Sequence, residues 1–297
     1  MDAAWALKLA NGGPSMLWML QRKSRNVHAI LFDADNPEFE QRVLLLSDLH
    51  WDNTKCNRDL LRRHLDQAVQ HDAPVLLIGD TFCLMQGAYD PRKNKSALRP
   101  EHQTDDYIDA VINTAADWFE PYAKHIAVVG QGNHESSILK RMETDVVDRF
   151  CDALRQRGGI TQPGGYSGFV RFHFSIHRKR SSQTMFYMHG HGGGGGASRG
   201  TTHFAKYQQQ ANADIFVSGH VHQKECFPVR TAHLTNAHKI EQRNVHCVRL
   251  GTYKDEWLDG HGGWHVERGG GPRPLGGYWM NFKRLNKHII RNFMETE

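Results

Sequence analysis

Short, unbroken apolar runs occur at residues 43–46, 75–78, 126–129, 185–188 and 215–217. Continuous rather than alternating hydrophobicity is expected of central strands covered on both faces, so these runs predict the heart of a sheet. Between the first two, Leu61, Leu65, Ala68 and Val69 recur at helical spacing within 57–71. Between the next two, Ile108, Val111, Ile112, Ala115 and Phe119 do the same within 104–122. A third helix is predicted from the stripe Leu139, Met142, Val146, Phe150 and Leu154, closed by Gly158 and Gly159. Strand, helix, strand, helix, strand, helix is the grammar of βαβ units, whose ligand crevice lies beyond the carboxyl ends of the strands.

After Gly164 the pattern becomes strand-rich, with runs at 168–176, 184–188, 215–217, 245–250 and 277–282 and few helices between. This half is expected to be more antiparallel. An α/β fold of two sheets packed face to face, flanked by helices, accommodates both halves. Residues 1–40 read as an N-terminal extension with one short strand at 27–32. Residues 254–297 read as a Gly- and aromatic-rich excursion ending in a final strand packed on the core.

Each of the five apolar runs stops at residues able to bind metal. The stops are Ser-Asp-Leu-His at 47–50, Gly-Asp at 79–80, Gly-Asn-His-Glu at 132–135, His-Gly-His at 189–191 and Gly-His-Val-His at 219–222. Any one fragment is cheap in a chain with 20 histidines, and alone Asp48 is a helix cap or His220 a core histidine. Five in order at strand ends point to a two-metal phosphoester hydrolase. If the segments stay extended, Asp48 and His50 project to one side while Leu49 faces the core, and His220 and His222 pair likewise. Mixed Asp, His and Asn donors suit Mn, Fe, Zn, Ni or Co better than Mg or Ca, with manganese the first expectation.

Composition adds little to this. A 39% hydrophobic and 23% charged chain can pack a core, which excludes wholesale disorder. The net charge of +5 weakly favours an anionic partner. Local basic clusters stand at Arg92, Lys93, Lys95 and Arg99, and at 178–180. Five widely spaced cysteines without a Cys-x-x-Cys pair indicate a reducing compartment. The apolar stretch at 16–20 is too short to span a bilayer and no run reaches membrane length, so a cytoplasmic protein with no membrane partner is expected.

The ordered motifs resemble those of the calcineurin-like metallophosphoesterase superfamily: Asp-x-His, Gly-Asp, Gly-Asn-His-Asp/Glu, His, Gly-His-x-His. The resemblance implies a four-layer α/β/β/α fold with a catalytic core over 41–253. It implies one metal held by Asp48, His50, Asp80 and His222, and a second by Asp80, Asn133, His189 and His220. His134 would face the scissile phosphate and protonate the leaving oxygen or stabilise the transition state. The ions would lower the pKa of a bridging water that attacks in line. Either His189 or His191 could follow the strand as ligand; in the resembling families the ligand directly follows the strand and precedes Gly, which favours His189.

Protein phosphatases of the superfamily carry arginines after the second motif and before the third, whereas this chain has Thr81-Phe82-Cys83-Leu84 and Gln131 there. Phe82 resembles the Gly-Asp-x-Phe-Asp form of repair nucleases, although Cys83 replaces the usual Asp. The leading expectation is therefore a phosphodiesterase acting on DNA or RNA. The alternative is a nucleotide, cyclic-nucleotide or pyrophosphate phosphohydrolase; an inactive structural subunit ranks below both. His191 and Trp257 are candidate substrate contacts. Trp257, Trp264, Tyr278 and Trp279 could stack bases, but packing is the stronger expectation for large aromatics. Lys254, Asp255 and Arg273 could touch phosphate, exposed charge being the simpler account.

Overall fold

A computed structural model describes residues 17–84, 97–176, 179–193, 201–257, 260–261, 264–267 and 269–297. Arg92, Lys93, Lys95, Arg178 and the Trp264 side chain lie outside the described residues. The first sheet has seven strands: β1 (Trp18–Ser24), β2 (Val27–Asp33), β7 (Ser167–Ile176), β8 (Lys179–Met188), β9 (Ile215–Ser218), β11 (Ile240–Arg249) and β10 (Glu225–Leu234), in that spatial order. The second has six, in the order β13 (His288–Glu295), β12 (Tyr278–Leu285), β3 (Glu40–Leu46), β4 (Val75–Leu77), β5 (Ile126–Val129) and β6 (Gln162–Pro163). Strands β3 to β6 run parallel. The seven-stranded sheet is mixed, since β2/β7, β8/β9 and β9/β11 are parallel pairs.

The continuous apolar strands are explained by burial on both faces. On β3, Val43 and Leu45 point into a core shared with Phe172, Met185 and Ile215 of the facing sheet and with Phe282 of the neighbouring strand β12. Leu44 and Leu46 point the other way, against helices α1 (Arg58–Gln70), α2 (Tyr107–Phe119) and α4 (Val146–Gln156). On β9, Phe216 faces outward and packs with Phe204 and Tyr207 of helix α5 (Thr202–Gln210). The result is a two-sheet sandwich flanked by helices, in four layers. Among the described residues no helix is long and apolar enough to cross a membrane.

Several expected elements change. The predicted third helix is two, α3 (Asn133–Met142) and α4, separated where Glu143 takes a left-handed φ of 52°. Asp145 then caps α4, its side chain accepting from the N–H groups of Val147 and Asp148. The stripe is accordingly not continuous: Leu139 is partly exposed while Phe150 and Leu154 are buried. Residues 18–33 form an antiparallel hairpin rather than one strand, and β2 pairs with β7, which makes this segment part of the first sheet. At the other end a hairpin replaces the single final strand, and β12 lies inside the second sheet beside β3. Strand β10 escapes the apolar criterion because it is an edge strand with alternating exposure, which also accommodates Pro228.

Candidate metal centre

All five motifs directly follow strands at the carboxyl ends of the two sheets: β3, β4 and β5 in one, β8 and β9 in the other. The loops interlock beyond those ends. The N–H groups of Asp48, His50 and Trp51 donate to the carbonyls of Gly79, Asp80 and Thr81 at 3.0, 3.1 and 2.9 Å. Across the sheets, the His220 N–H donates to Asp48 Oδ2 at 2.9 Å.

The backbone here is not extended. Asp48, His50, Asp80, His220 and His222 all have positive φ, from 46° to 72°. The i, i+2 argument from strand geometry therefore fails in its premise: tight left-handed turns, not a pleat, aim these side chains together. Each such non-glycine turn costs on the order of 1 kcal/mol and is held by its surroundings. Glycine is required alongside them, because a Cβ on Gly132 would run into the Asp80 carboxylate and one on Gly219 into Ser47 and Asp48.

Two donor groups converge, Asp48/His50/His222 and Asp80/His189/His220, with the ligand atoms of each within 4.8 Å of one another. In the first, His222 Nε2 lies 3.3 Å from Asp48 Oδ1 and 3.4 Å from His50 Nε2. In the second, His189 Nε2 lies 3.2 Å from Asp80 Oδ2 and 3.2 Å from Asn133 Oδ1, and Asn133 Oδ1 is 2.8 Å from His220 Nδ1. His189 Nε2 is also 4.0 Å from Asp48 Oδ1, which places the groups side by side. All seven residues assigned from sequence as ligands are thus brought together.

The donor set fits divalent cations. Asp48 Oδ1 is buried without a hydrogen-bond partner, and the Nε2 atoms of His50 and His222 face each other at 3.4 Å. His189 Nδ1 must donate to the Ile78 carbonyl at 2.9 Å, so its Nε2 is left to face the carboxylates as a ligand would. The electrostatics agree. Burial pushes the Asp48 and Asp80 carboxyls up, but His189 beside both, joined by His222 at Asp48 and His134 at Asp80, outweighs it and holds them below the ordinary range. Burial opposes charge on His189, yet Asp80 and Asp48 raise it to about 10. Two buried carboxylates call for positive charge at this point.

His134 is held differently. Its Nδ1 must donate to the Cys83 carbonyl at 2.5 Å, which leaves Nε2 on the cluster side, 3.8 Å from Asp80 Oδ2. Its ring meets His50 edge-on at 4.9 Å. The Cys83 thiol is pushed up to about 12, chiefly by burial, and stays protonated. The residue that replaces the expected Asp therefore serves through its backbone.

His191 does not join the cluster: it is exposed and stacks on His203 at 5.0 Å, while His189 is wholly buried within it. Trp257 packs its indole against Gly260 and belongs to neither donor group. Tyr278 and Trp279 are buried in β12 and pack rather than stack bases.

Supporting residues were less visible in the sequence. Glu135, fully buried, accepts from the N–H groups of Asp80 (3.2 Å), Gly132 (2.8 Å) and Phe82 (2.9 Å), tying two motifs together. Its position three residues after Gly132 is the capping-box spacing, which could have signalled this role. Asp52 accepts from the N–H groups of Cys83 and Leu84 and from the Tyr107 hydroxyl. Arg249, buried at the end of β11, donates to the Gly219 carbonyl at 3.2 Å and Ser218 Oγ at 3.3 Å, bracing the His220 turn.

Metal donors gathered at the strand ends of a four-layer α/β/β/α sandwich define a metal-dependent phosphoester hydrolase. The chain belongs to the calcineurin-like phosphoesterase family, whose model matches residues 41–224. Solved structures similar to it include a predicted phosphoesterase from Streptococcus pneumoniae TIGR4 (14% identity, 87% of this chain and 91% of that one, TM-score 0.32). Others are GAP50 of Plasmodium (12%, 87% and 85%, TM-score 0.41) and a metallophosphoesterase from Sphaerobacter thermophilus (12%, 86% and 88%, TM-score 0.38). No curated protein matches the chain.

Proposed function

We propose that this protein is a manganese-dependent phosphodiesterase acting on DNA or RNA. Asp48, His50 and His222 would hold one ion and Asn133, His189 and His220 a second, with Asp80 between them. Bound divalent ions would supply Lewis acidity toward a phosphoryl oxygen and a water of lowered pKa. His134, with Nδ1 committed to the Cys83 carbonyl, presents Nε2 to donate a proton or hydrogen bond to the leaving oxygen. Glu135 and Arg249 hold the Asp80 and His220 turns that aim those groups.

The observation that carries the substrate reading is a set of cations packed on residues 51–56, just after ligand His50. Arg58 Nε donates to the Trp51 carbonyl with its guanidinium 3.7 Å over the indole, and Arg99 donates to the Asn53 and Cys56 carbonyls. Glu101 pairs with Arg58 at 3.2 Å, so the rim is moderately rather than strongly positive. Such a rim suits phosphates flanking the scissile one. A cytoplasmic setting is supported by the five free cysteines, four of them buried.

The test is Mn²⁺-dependent cleavage of end-labelled single- and double-stranded oligonucleotides, run beside a phosphomonoester and a simple diester, with Asp80→Asn as the control. Oligonucleotide cleavage lost in the variant supports the proposal. Hydrolysis of the small esters alone would replace it with a nucleotide phosphohydrolase.

A further inference from the structure

Lys254 was expected as an exposed charge; it is largely buried. Its Nζ lies 2.7 Å from Glu256 Oε1, and the two side chains are only 14% and 13% exposed. The segment that carries them is fastened to the metal loop. Thr252 Oγ1 and the Tyr253 N–H both donate to the Asp48 carbonyl, at 2.8 and 3.0 Å. The Asn57 N–H donates to the Tyr253 carbonyl, the Asp255 N–H to the Lys55 carbonyl, and Lys254 itself bridges Cys56. His50 and Cys83, with His134, form a further convergent donor group among the described residues. Lys254 therefore lies on a segment fastened to the loop that carries Asp48 and His50.

We propose that the Lys254–Glu256 pair is the substrate-charge selector of this site: Lys254 contacts a non-bridging phosphoryl oxygen, and Glu256 limits the bound phosphate to a monoanion. The inference deepens the phosphodiesterase reading and rests on it. A phosphodiester carries one negative charge at neutral pH, whereas a terminal phosphate carries nearly two. A lone buried cation would favour the more highly charged group. A cation held 2.7 Å from a carboxylate is part of a neutral pair, so a dianion brought to Lys254 also meets Glu256. Arginine clamps for a dianion are missing from the two motif positions, where Phe82 to Leu84 and Gln131 stand. The pair thus gives the hydrogen bond that orients a phosphate without the surplus charge that would retain a terminal one. Lysine suits this role because its ammonium is a point donor on a flexible stem rather than a bidentate fork.

The experiment uses the manganese-loaded protein and measures kcat and KM on bis(p-nitrophenyl) phosphate and p-nitrophenyl phosphate, with calorimetric titration of orthophosphate. Glu256→Gln should raise the monoester-to-diester ratio of kcat/KM by about tenfold and tighten orthophosphate comparably, the order expected for one unit charge in a site of intermediate dielectric. The double variant Lys254→Met/Glu256→Gln removes both charges without leaving either buried alone. It should raise the diester KM several-fold with metal content and melting temperature retained, and Lys254→Arg should recover part of the loss. A ratio within twofold of the parent in Glu256→Gln, or a parental KM in the folded double variant, would overturn the proposal. If the parent prefers the monoester, the phosphodiesterase reading fails, while the orthophosphate shifts still decide the role of the pair.

Discussion

Removing the Glu135 side chain tests the idea that buried carboxylate scaffolding, and not the ligands alone, builds the centre. Glu135→Ala would strand three backbone donors, the N–H groups of Asp80, Gly132 and Phe82, in a region without solvent. An unsatisfied buried donor costs about 1–3 kcal/mol, so three would cost roughly 3–9 kcal/mol if none relaxed. Against this, the variant removes a buried carboxyl beside Asp80, whose desolvation carries a cost of its own. Burial and then Asp80 push the Glu135 carboxyl up to about 8, which reports that opposing cost. The net loss should therefore fall below that sum, on the order of a few kcal/mol. Urea unfolding of the chelator-treated protein measures it without contribution from metal, and calorimetric metal titration then reads how far the Asp80 turn has loosened. Glu135→Gln, which keeps one acceptor oxygen, should lose less on both counts. An alanine variant within about 0.5 kcal/mol of the parent, with unchanged metal affinity, would show that the turns hold themselves and refute the reasoning.

The other expectations concern the cluster and the distant core. Asp80→Asn should abolish turnover and lower metal stoichiometry, whereas His134→Ala should lower kcat by about 10²–10⁴-fold with metal content intact; plasma emission spectroscopy beside steady-state kinetics separates the two. Because the donor groups draw Asp48 and Asp80 from one sheet and His189, His220 and His222 from the other, metal should staple the sandwich. Saturation at 100 times Kd should stabilise by about 2.7 kcal/mol, read as a melting temperature that falls on chelation. In the first sheet, burial and then Arg22 lower His28 to about 4. Its folded pKa lies below the unfolded value of about 6.5, so the unfolded chain binds more protons between those values. The stability is present above pH 6.5 and is lost as pH falls toward 4; the urea midpoint should drop over that window, and His28→Phe should flatten the drop.

The ligand set was legible because each motif terminates a strand buried on both faces, and such strands announce themselves as unbroken apolar runs. What those residues look like in space was not legible. Alternate left-handed turns at Asp48, His50, His220 and His222 depend on glycines and carbonyls from other loops, which no local pattern carries. Strands β1, β10 and β13 were missed because they flank the sheets and keep polar residues on an open face. The break at Glu143 was hidden because Val146, Phe150 and Leu154 continue the spacing of the helix before it, although the chain has turned between them. Lys254 reads as solvated charge until the segment 252–255 is seen packed on 48–57, a contact made across two hundred residues of chain.

The place of β12 in the second sheet sets a timetable for biosynthesis. Residues 278–283 zip antiparallel onto residues 40–45, the strand that leads directly to Asp48. A ribosome delivers β3 early and its neighbour only after every motif has emerged, so β3 waits with one edge unpaired while the rest of the sandwich is made. That edge is apolar on both faces, the kind of surface that chaperones cover and that aggregates when left alone. Closing so long a loop also makes the final pairing a slow step. Maturation of the metal centre would then be post-translational in timing, completed when the tail of the chain returns to its beginning.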